Sequence, residues 1–351
     1  MNKYQKLFKE FQTERATVYQ NVDDNIIIFD GLNTFIRAFG ATPATNEDGE
    51  HIGGITGFLY SIGKCVRDFK PTRCVIVFDG RGGSARRKSI NKSYKANRAN
   101  KTKLRRHDHQ TFVTIEDEQV AMRHQFARLV SYLDCLPVTF LSIDGIEADD
   151  TIAYIAELYR DKSKEITIVS TDRDFYQMVD NTIQVWSPIK KKMYTPETVY
   201  EEFGVTPQNY VVYRTFTGDN SDNIAGVAGI GPKTILKHLP ELGKTKEFTP
   251  DDLFEKCNNL IADSKTYSKI IENKMVIEQN YQLMNLKLLD FSATHTSNIR
   301  KILEQPIPLL DKNEFQRLFM EDKMWSTMKN APDWLTRTWL SLHAYAQQTQ
   351  K

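Results

Sequence analysis

NIIIFDG (residues 25–31) is an unbroken apolar run that stops at an acid and a glycine. A short run of β-branched and aromatic residues without polar alternation is typical of a strand that is buried on both faces of a parallel sheet. RCVIVFDG (73–80) repeats the pattern, and the stretch Gly53–Phe69 between the two runs has helical character. Parallel strands need such a crossover, so the pair predicts a βαβ unit.

Strands and helices continue to alternate after this unit. Strands are predicted at Val138–Leu141, Glu165–Val169 and Ile183–Trp186, and helices at Glu118–Leu133 and Ala148–Tyr159. This alternation predicts an α/β fold with a mainly parallel central sheet flanked by helices. From Pro196 onward the pattern becomes mostly helical. The charged segment 1–20 is predicted to be an amphipathic helix that covers an edge of the core.

Acidic side chains follow the predicted strands. They come in five groups, FDG, FDG, IEADD, STDRD and GDNSD, and each of the first four follows or closes an apolar run. If the strands are neighbours in one sheet, these acids converge at its carboxyl edge, where unpaired charges would repel strongly. Hard divalent cations, Mg²⁺ first, are the partners that carboxylates favour. The candidate ligands are Asp30, Asp79, Glu147, Asp149, Asp150, Asp172, Asp174, Asp219 and Asp222.

A strongly basic segment, residues 81–106, begins soon after Asp79. It contains eleven Lys or Arg residues and no Asp or Glu. Such a run is either a solvated surface or a concentrated positive field that attracts phosphates. Because the acidic edge alone would repel a polyanion, the combination favours metal-dependent cleavage of a nucleic-acid backbone. Tyr94 within the basic segment could stack on a base.

Residues 226–234 (GVAGIGPKT) form a candidate phosphate grip. Their glycines permit close backbone approach, Pro232 suits the first turn of a helix, and Lys233 adds a positive charge. The spacing excludes a Walker A motif. The segment is either a tight turn or a phosphate grip, and the preceding GDNSDN favours the grip. Its candidate binding residues are Gly226, Gly229, Gly231, Lys233 and Thr234.

The bulk composition limits these interpretations. The 351 residues carry a net charge of only +2, so the distribution of charge, rather than its total, argues for nucleic acid. The four cysteines are widely spaced and form no CxxC pair, which disfavours zinc and favours reduced thiols in a cytosol. The N-terminus lacks the apolar core of a signal peptide, and no apolar run is long enough to span a bilayer, so we expect no membrane partner.

Three motifs, GIEADD (145–150), STDRD (170–174) and GDNSDNIAGVAGIGPKT (218–234), resemble the 5′ nuclease family in this order. That family includes flap endonucleases, the 5′–3′ exonuclease domain of bacterial DNA polymerase I and stand-alone bacteriophage 5′ exonucleases. The resemblance covers about residues 25–290. The size and the polar N-terminal helix look most like the bacteriophage enzymes. The resemblance implies a PIN-like fold with a basic helical arch at 81–110 and a helix–three-turn–helix region.

The resemblance also implies two Mg²⁺ ions, for which Mn²⁺ can substitute. The first would be held by Asp30, Asp79, Glu147 and Asp149, with Asp150 close to it. The second would be held, partly through water, by Asp172, Asp174 and Asp219, with Asp222 nearby. A K⁺ ion is expected at the helix–three-turn–helix.

Several basic residues match positions that contact DNA in the family. The pattern YKxxR at 94–98 makes Lys95 and Arg98 the expected contacts of the scissile phosphate. Arg37, seven residues after Asp30, matches a DNA-contacting arginine. The stretch between Asp79 and Lys95 is longer than in the relatives, which leaves Arg86 and Arg87 as alternatives at the base of the arch, with Arg87 favoured.

We therefore expect an N-terminal helical extension (1–24), an α/β nuclease core (25–195), a helix–three-turn–helix region (196–300) and a C-terminal helical tail (301–351). In the tail, Trp325, Trp334 and Trp339 either pack a helical cap onto the core, which is favoured, or form an attachment surface.

The expected function is that of a metal-dependent, structure-specific 5′ nuclease acting on DNA flaps, nicks and RNA primers in replication. The expected partners are DNA with a 5′ flap or nick, RNA–DNA primer junctions and replication proteins that contact the tail. A monomer in the cytoplasm, of a bacterial host if the source is a phage, is expected. A non-catalytic, structure-specific DNA-binding protein and a PIN-type ribonuclease are the alternatives.

Overall fold

The computed structural model describes residues 21–98, 112, 114–288 and 291–350. The helix predicted in 1–20 lies outside these residues. So do residues 99–110 of the predicted arch.

Six strands form the central sheet: β1 (Asn25–Asp30), β2 (Arg73–Phe78), β3 (Thr139–Ser142), β4 (Glu165–Val169), β5 (Ile183–Ser187) and β6 (Lys192–Tyr194). They lie in the order β3-β2-β1-β4-β5-β6. The first five are parallel, and β6 is antiparallel to β5. The mainly parallel α/β fold predicted from the sequence is therefore confirmed.

Three predicted strand boundaries differ from the structure. β1 extends one residue further, to Asp30, which pairs with Val77. β3 is displaced by one residue from the predicted Val138–Leu141, because Val138 donates its amide to the Leu136 carbonyl in a turn and Thr139 is the first residue of the ladder. β5 includes Ser187, which pairs with Lys192 of β6.

The sheet separates two apolar cores. Ile26 and Ile28 of β1 face one core, whereas Ile27 and Phe29 face the other, and all four are fully buried. Burial on both faces explains why the run NIIIF lacks polar alternation.

Helices cover both faces of the sheet. One core includes residues of α1 (Gly31–Ala41), α2 (Gly53–Phe69), α4 (Ile115–Asp134), α13 (Lys312–Glu321) and α14 (Ala331–Gln348). The other includes residues of α5 (Ala148–Tyr159), α6 (Pro196–Phe203), α7 (Pro207–Thr217), α8 (Pro232–His238), α9 (Pro250–Asn259), α10 (Lys265–Glu272), α11 (Lys274–Met284) and α12 (Ala293–Leu303). A short α3 (Ala85–Ile90) lies in the basic segment.

The C-terminal helices pack onto the core. Trp339 is completely buried, and the ring of Trp334 lies 6.0 Å from it in an edge-on arrangement. Trp325, in the loop between α13 and α14, is 43% exposed. Two of the three tail tryptophans thus pack against the core, as the favoured interpretation has it. None of the helices in the described ranges combines the length and apolarity needed to cross a membrane.

Candidate active site

A cleft of about 1050 Å³ opens at the carboxyl edge of the sheet. It is lined by five of the nine predicted acids, Asp30, Asp79, Asp149, Asp172 and Asp219, and by the basic residues Arg37, Lys95, Arg173 and Arg214. The remaining acids, Glu147, Asp150, Asp174 and Asp222, contact these residues or their neighbours from outside the lining. The parallel strands therefore bring together side chains that lie almost two hundred residues apart in sequence.

Asp30 joins the end of β1 to the start of α1. It is the N-cap residue of α1, and its Oδ1 accepts a hydrogen bond of 3.0 Å from the Asn33 amide. Its Oδ2 accepts one of 3.0 Å from the Ser170 hydroxyl, just after β4. Burial, with the negative charge of Asp79, raises the pKa of Asp30 to about 6, although these hydrogen bonds oppose the shift.

Asp79 and Asp149 connect the second strand with α5. The exposed Asp79 accepts a 2.8 Å hydrogen bond from the amide of Ala148, the first residue of α5. Asp149 follows in the first turn, where negative charge suits the helix dipole. Burial and the charge of Asp172 raise the pKa of Asp149 well above its ordinary value. Both carboxylates line the cleft, where the charge of Lys95 opposes the rise in the pKa of Asp149 without cancelling it.

Arg87 holds two acids at the base of the basic segment. Its buried guanidinium pairs with Glu147 and, at 2.7 and 2.9 Å, with both oxygens of Asp150. Lys95 donates from Nζ to the other oxygen of Glu147 at 2.8 Å. Burial would raise the pKa of Glu147, but these two cations outweigh it and lower the pKa. Arg86 instead donates to the Leu288 carbonyl at 3.2 Å, so Arg87 is the arginine directed toward the acids.

Tyr94 is buried between two acids. Its hydroxyl lies 3.1 Å from Glu147 Oε2 and 3.3 Å from Asp222 Oδ2. With only 2% of the residue exposed, its ring presents no face for the base stacking that the sequence suggested.

The basic segment is tied to the turn that follows β7 (Gly218–Asp219). The Lys95 amide donates to the Asp222 carbonyl at 2.9 Å, and the Asn97 side chain donates to the Asn220 carbonyl at 3.0 Å. In return, the Asn223 side chain donates to the Ser93 carbonyl at 2.9 Å. The side chain of Arg98 lies outside the described part of the chain.

Arg214 lines the cleft but is not among the residues predicted from the sequence. From the last turn of α7 it pairs with Asp174 at 3.2 Å and with Asp219. Its only sequence signal is its place five residues before Asp219. Burial and the charge of Asp174 raise the pKa of the neighbouring Asp172 to about 7. Burial would also raise the pKa of Asp219, but hydrogen bonds from Ser221 and the charge of Arg214 lower it.

The glycine-rich segment borders the cleft. β7 pairs with β8 (Ile224–Ala225) in a small hairpin, and Gly226 to Gly231 then lead to Pro232, which lines the cleft and begins α8. A Cβ on Gly226 would lie 2.4 Å from the Phe216 carbonyl oxygen, and Gly229 has a φ of +75°. The segment therefore needs glycine at both positions. Lys233 is exposed and Thr234 half-buried on α8.

Arg37 is half-buried in the wall of the cleft, on α1. Its buried Nε has no hydrogen-bond partner within the described residues. The side chain of Arg37 nevertheless lines the cleft, where a basic group favours an anionic ligand.

The donors that line the cleft fit a hard divalent cation in chemistry. Within the described residues, Asp30, Asp79, Asp149 and Asp172 accept no hydrogen bond from a Lys or Arg side chain. In the described part of the chain, no three His, Cys, Asp or Glu side chains already lie close enough together to hold an ion. Arg87, Lys95 and Arg214 instead pair with Glu147, Asp150, Asp174 and Asp219. A metal ion bound here has to compete with those ion pairs for the carboxylates.

Comparison with known proteins identifies relatives of this chain. The family model described as the 5′-3′ exonuclease, N-terminal resolvase-like domain, matches residues 25–204. A 5′-3′ exonuclease of Aquifex aeolicus is 30% identical over 222 residues, which cover 63% of this chain and 71% of the relative. Thermostable DNA polymerase I of Thermus thermophilus is 33% identical over 246 residues, covering 68% of this chain. The match spans 27% of that polymerase.

A solved structure shares the fold. The bacteriophage T5 D15 flap endonuclease, in a pseudo-enzyme-product complex with DNA and metal ions, superposes with a TM-score of 0.60 at 20% identity. The match covers 85% of this chain and 99% of the other. Family model, relatives and fold agree, and the chain belongs to the 5′-3′ exonuclease family of nucleases.

Proposed function

We propose that this protein is a metal-dependent, structure-specific 5′ nuclease that hydrolyses phosphodiesters near the 5′ end of DNA flaps and nicks and removes RNA primers in replication. The observation that carries the proposal is the cleft in which five acids from separate elements meet Lys95. The positive charge of the basic segment supports an anionic substrate. The membership of the chain in the 5′-3′ exonuclease family supports the nuclease activity. The proposed enzyme acts as a monomer in the cytoplasm, and segment 301–351 with exposed Trp325 offers a contact for replication proteins.

Two Mg²⁺ ions, or Mn²⁺ in their place, would be held by the acids at the cleft. Asp30, Asp79, Glu147 and Asp149 are the proposed ligands of one ion, with Asp150 behind them. Asp172, Asp174, Asp219 and Asp222 are the proposed group for the other. When bound, the ions supply Lewis-acid stabilisation of the phosphate and lower the pKa of an attacking water.

The protein's own cations orient the substrate. Lys95, which lines the cleft, would approach a phosphate oxygen as the negative charge on that oxygen grows, and Arg98 is proposed to assist it. The buried guanidinium of Arg87 holds the carboxylates of Glu147 and Asp150 in place by pairing with both of them. Hydrolysis in this arrangement leaves a 5′-phosphate and a 3′-hydroxyl.

Contacts with the duplex are proposed along the rim of the cleft. Arg37 and Arg86 would contact the DNA backbone, and the glycine-rich segment with Lys233 and Thr234 would grip the phosphates of the duplex. A K⁺ ion is proposed at this grip. Gly229 and Gly231 are exposed, which supports a close approach of phosphates to the backbone there.

The test uses 5′-labelled nicked and flapped duplexes and an RNA-primed duplex, each with Mg²⁺ or with a chelator. We expect short products from every substrate and none in chelator. Binding of flapped DNA without cleavage in Mg²⁺ would instead indicate a non-catalytic DNA-binding protein. Cleavage of single-stranded RNA alone would indicate a ribonuclease. The lengths of the labelled products separate exonucleolytic from flap-endonucleolytic cutting.

A further inference from the structure

Arg214 forms a cationic bridge inside the second group of acids. Its Nε lies 3.2 Å from Asp174 Oδ1, its Nη2 pairs with Asp219 Oδ2, and its Nη1 donates to the Gly218 carbonyl at 2.8 Å. The residue is buried, although part of it reaches the wall of the cleft. All three guanidinium nitrogens are therefore engaged, two of them by carboxylates that are proposed to bind a metal.

The two bridged carboxylates come from separate elements. Asp174 begins a 3₁₀ helix (Asp174–Met178) after β4, whereas Asp219 lies in β7, after α7. Asp219 is fixed further by the Ser221 amide and hydroxyl at 2.7 and 2.6 Å. Two carboxylates that share one guanidinium repel each other once that charge is removed. Arg214 therefore determines how closely Asp174 and Asp219 lie to each other.

We propose that Arg214 is a positioning residue that holds Asp174 and Asp219 together with a resident positive charge and thereby weakens divalent-cation binding at these two acids. The inference rests on the proposed function, because it requires a metal at this group. A guanidinium stays charged at every working pH, so it can release the carboxylates only by moving. An incoming ion must displace Arg214 or bind beside its positive charge, and either event lowers the affinity.

The bridge predicts two unequal binding events. Asp30, Asp79 and Asp149 form no ion pair with an arginine within the described residues. An ion at these three acids has no guanidinium to displace from them, whereas Glu147, the fourth proposed ligand, is paired with Arg87 and Lys95. At Asp174 and Asp219, by contrast, one guanidinium bridges both carboxylates, so the ion there is expected to be the weaker and more readily exchanged of the two.

The test is calorimetric titration of the metal-free full chain with Mn²⁺. We expect two binding steps in the parent protein. In Arg214→Gln the weaker step should become roughly tenfold tighter, a size typical of changes beside metal ligands, while the stronger step stays nearly constant. Arg173→Gln is the matched control: Arg173 is exposed, lines the same cleft and forms no ion pair among the described residues. Its loss should change neither step by more than about threefold.

The outcomes separate this inference from the proposed function. If the parent protein binds no Mn²⁺, the metal-dependent function is wrong. If it binds Mn²⁺ in two steps but Arg214→Gln leaves the weaker step unchanged or weakens it further, the assignment of Arg214 is wrong and the residue is only a structural link.

A second measurement covers the case in which Arg214→Gln does not fold, which circular dichroism detects. The NMR resonance of the Arg214 Nε–H group in the parent protein is identified by its loss in Arg214→Lys. This resonance should shift during the weaker Mg²⁺-binding step and not during the stronger one. A signal that follows neither step overturns the inference.

Discussion

Lys95 lines the cleft and contacts one of the proposed metal ligands. Its Nζ lies 2.8 Å from Glu147 Oε1, and the side chain remains partly exposed at the cleft. We expect Lys95→Ala to lower the single-turnover rate of flap cleavage by roughly a hundredfold or more, because a cation aimed at developing phosphate charge acts mainly in the transition state. Duplex affinity should fall by no more than about threefold. Rapid-quench kinetics and fluorescence anisotropy measure the two effects.

Lys92→Ala is the control for this prediction. Lys92 is exposed in the same basic segment, and its loss removes one steering charge without touching the acids. It should weaken association at low salt and leave the single-turnover rate nearly unchanged. Equal losses of rate and affinity in Lys95→Ala would reduce Lys95 to another steering charge.

The raised pKa of Asp172 predicts how the stability of the metal-free protein depends on pH. The pKa is raised to about 7, so between pH 4 and 7 the folded state binds more protons than the unfolded state. Stability contributed by the protonated carboxyl is present at low pH and lost as pH rises toward 7. In chelator, Asp172→Asn should therefore be more stable than the parent at pH 8, by about 1–3 kcal/mol, and nearly equal to it at pH 4.

Urea unfolding in chelator at both pH values measures this difference, and unfolding in Mg²⁺ is the comparison. Bound metal stabilises the parent by mass action and should reverse the order of the two proteins at pH 8. If the variant is the less stable one in chelator at pH 8, the charge of Asp172 is compensated in the folded state and the argument is wrong.

The candidate site was predictable where acids end buried strands, because the sheet itself brings such residues together. Asp30 and Asp79 follow apolar runs that are recognisable on their own. Arg214 was not predictable, since it lies in a helix with no charge pattern, and its role depends on a tertiary contact with Asp174. The burial of Tyr94 likewise depends on acids far away in sequence. Tertiary pairing of this kind leaves no local signal.

Among the elements, buried parallel strands were the easiest to predict. β1, β2 and β4 combine apolar runs with burial on both faces. β6 has only three residues and pairs with β5 because a turn follows β5. Three residues are too few to show an alternation of apolar and polar side chains, so the sequence does not predict this strand. The hairpin of β7 and β8 lies within a polar, acidic stretch that has no run of apolar residues, so the sequence does not predict its two strands.

The contact between the basic segment and the turn after β7 couples two elements of the site. Asn223 has a φ of +60° and donates to the Ser93 carbonyl, so Asn223→Gly keeps the backbone conformation while deleting the contact. We expect faster amide exchange across residues 93–97 and a loss of stability below about 1 kcal/mol. Hydrogen-exchange mass spectrometry measures the first effect.

Asn46→Gly, in an unrelated loop, controls for the added glycine. It should leave exchange across residues 93–97 unchanged. Unaltered exchange there in Asn223→Gly would mean that the remaining contacts, from Lys95 and Asn97, hold the basic segment without Asn223.

The C-terminal helices belong to the core of the molecule as a whole. α13 and α14 contribute Phe315, Leu335 and Trp339 to the same apolar core as β1. The loop between them also contacts the loop after α1, where the Lys323 ammonium pairs with Asp48 and the Ser326 amide donates to Glu47. The family model ends at residue 204, so these helices are specified outside the matched region. Packing nevertheless makes them part of the unit that supports the cleft.

Trp339→Ala should therefore destabilise the whole molecule, by about 3–5 kcal/mol, because it opens a large cavity in a closed core. The Trp339 Nε1 has no hydrogen-bond partner within the described residues, so the loss comes from packing alone. Trp325→Ala is the matched control, since Trp325 is 43% exposed and its removal should change stability by no more than about 0.5 kcal/mol. Urea unfolding followed by circular dichroism compares the two variants. A loss below about 1 kcal/mol for Trp339→Ala would mean that the C-terminal helices fold apart from the sheet, and that the cleft does not depend on them.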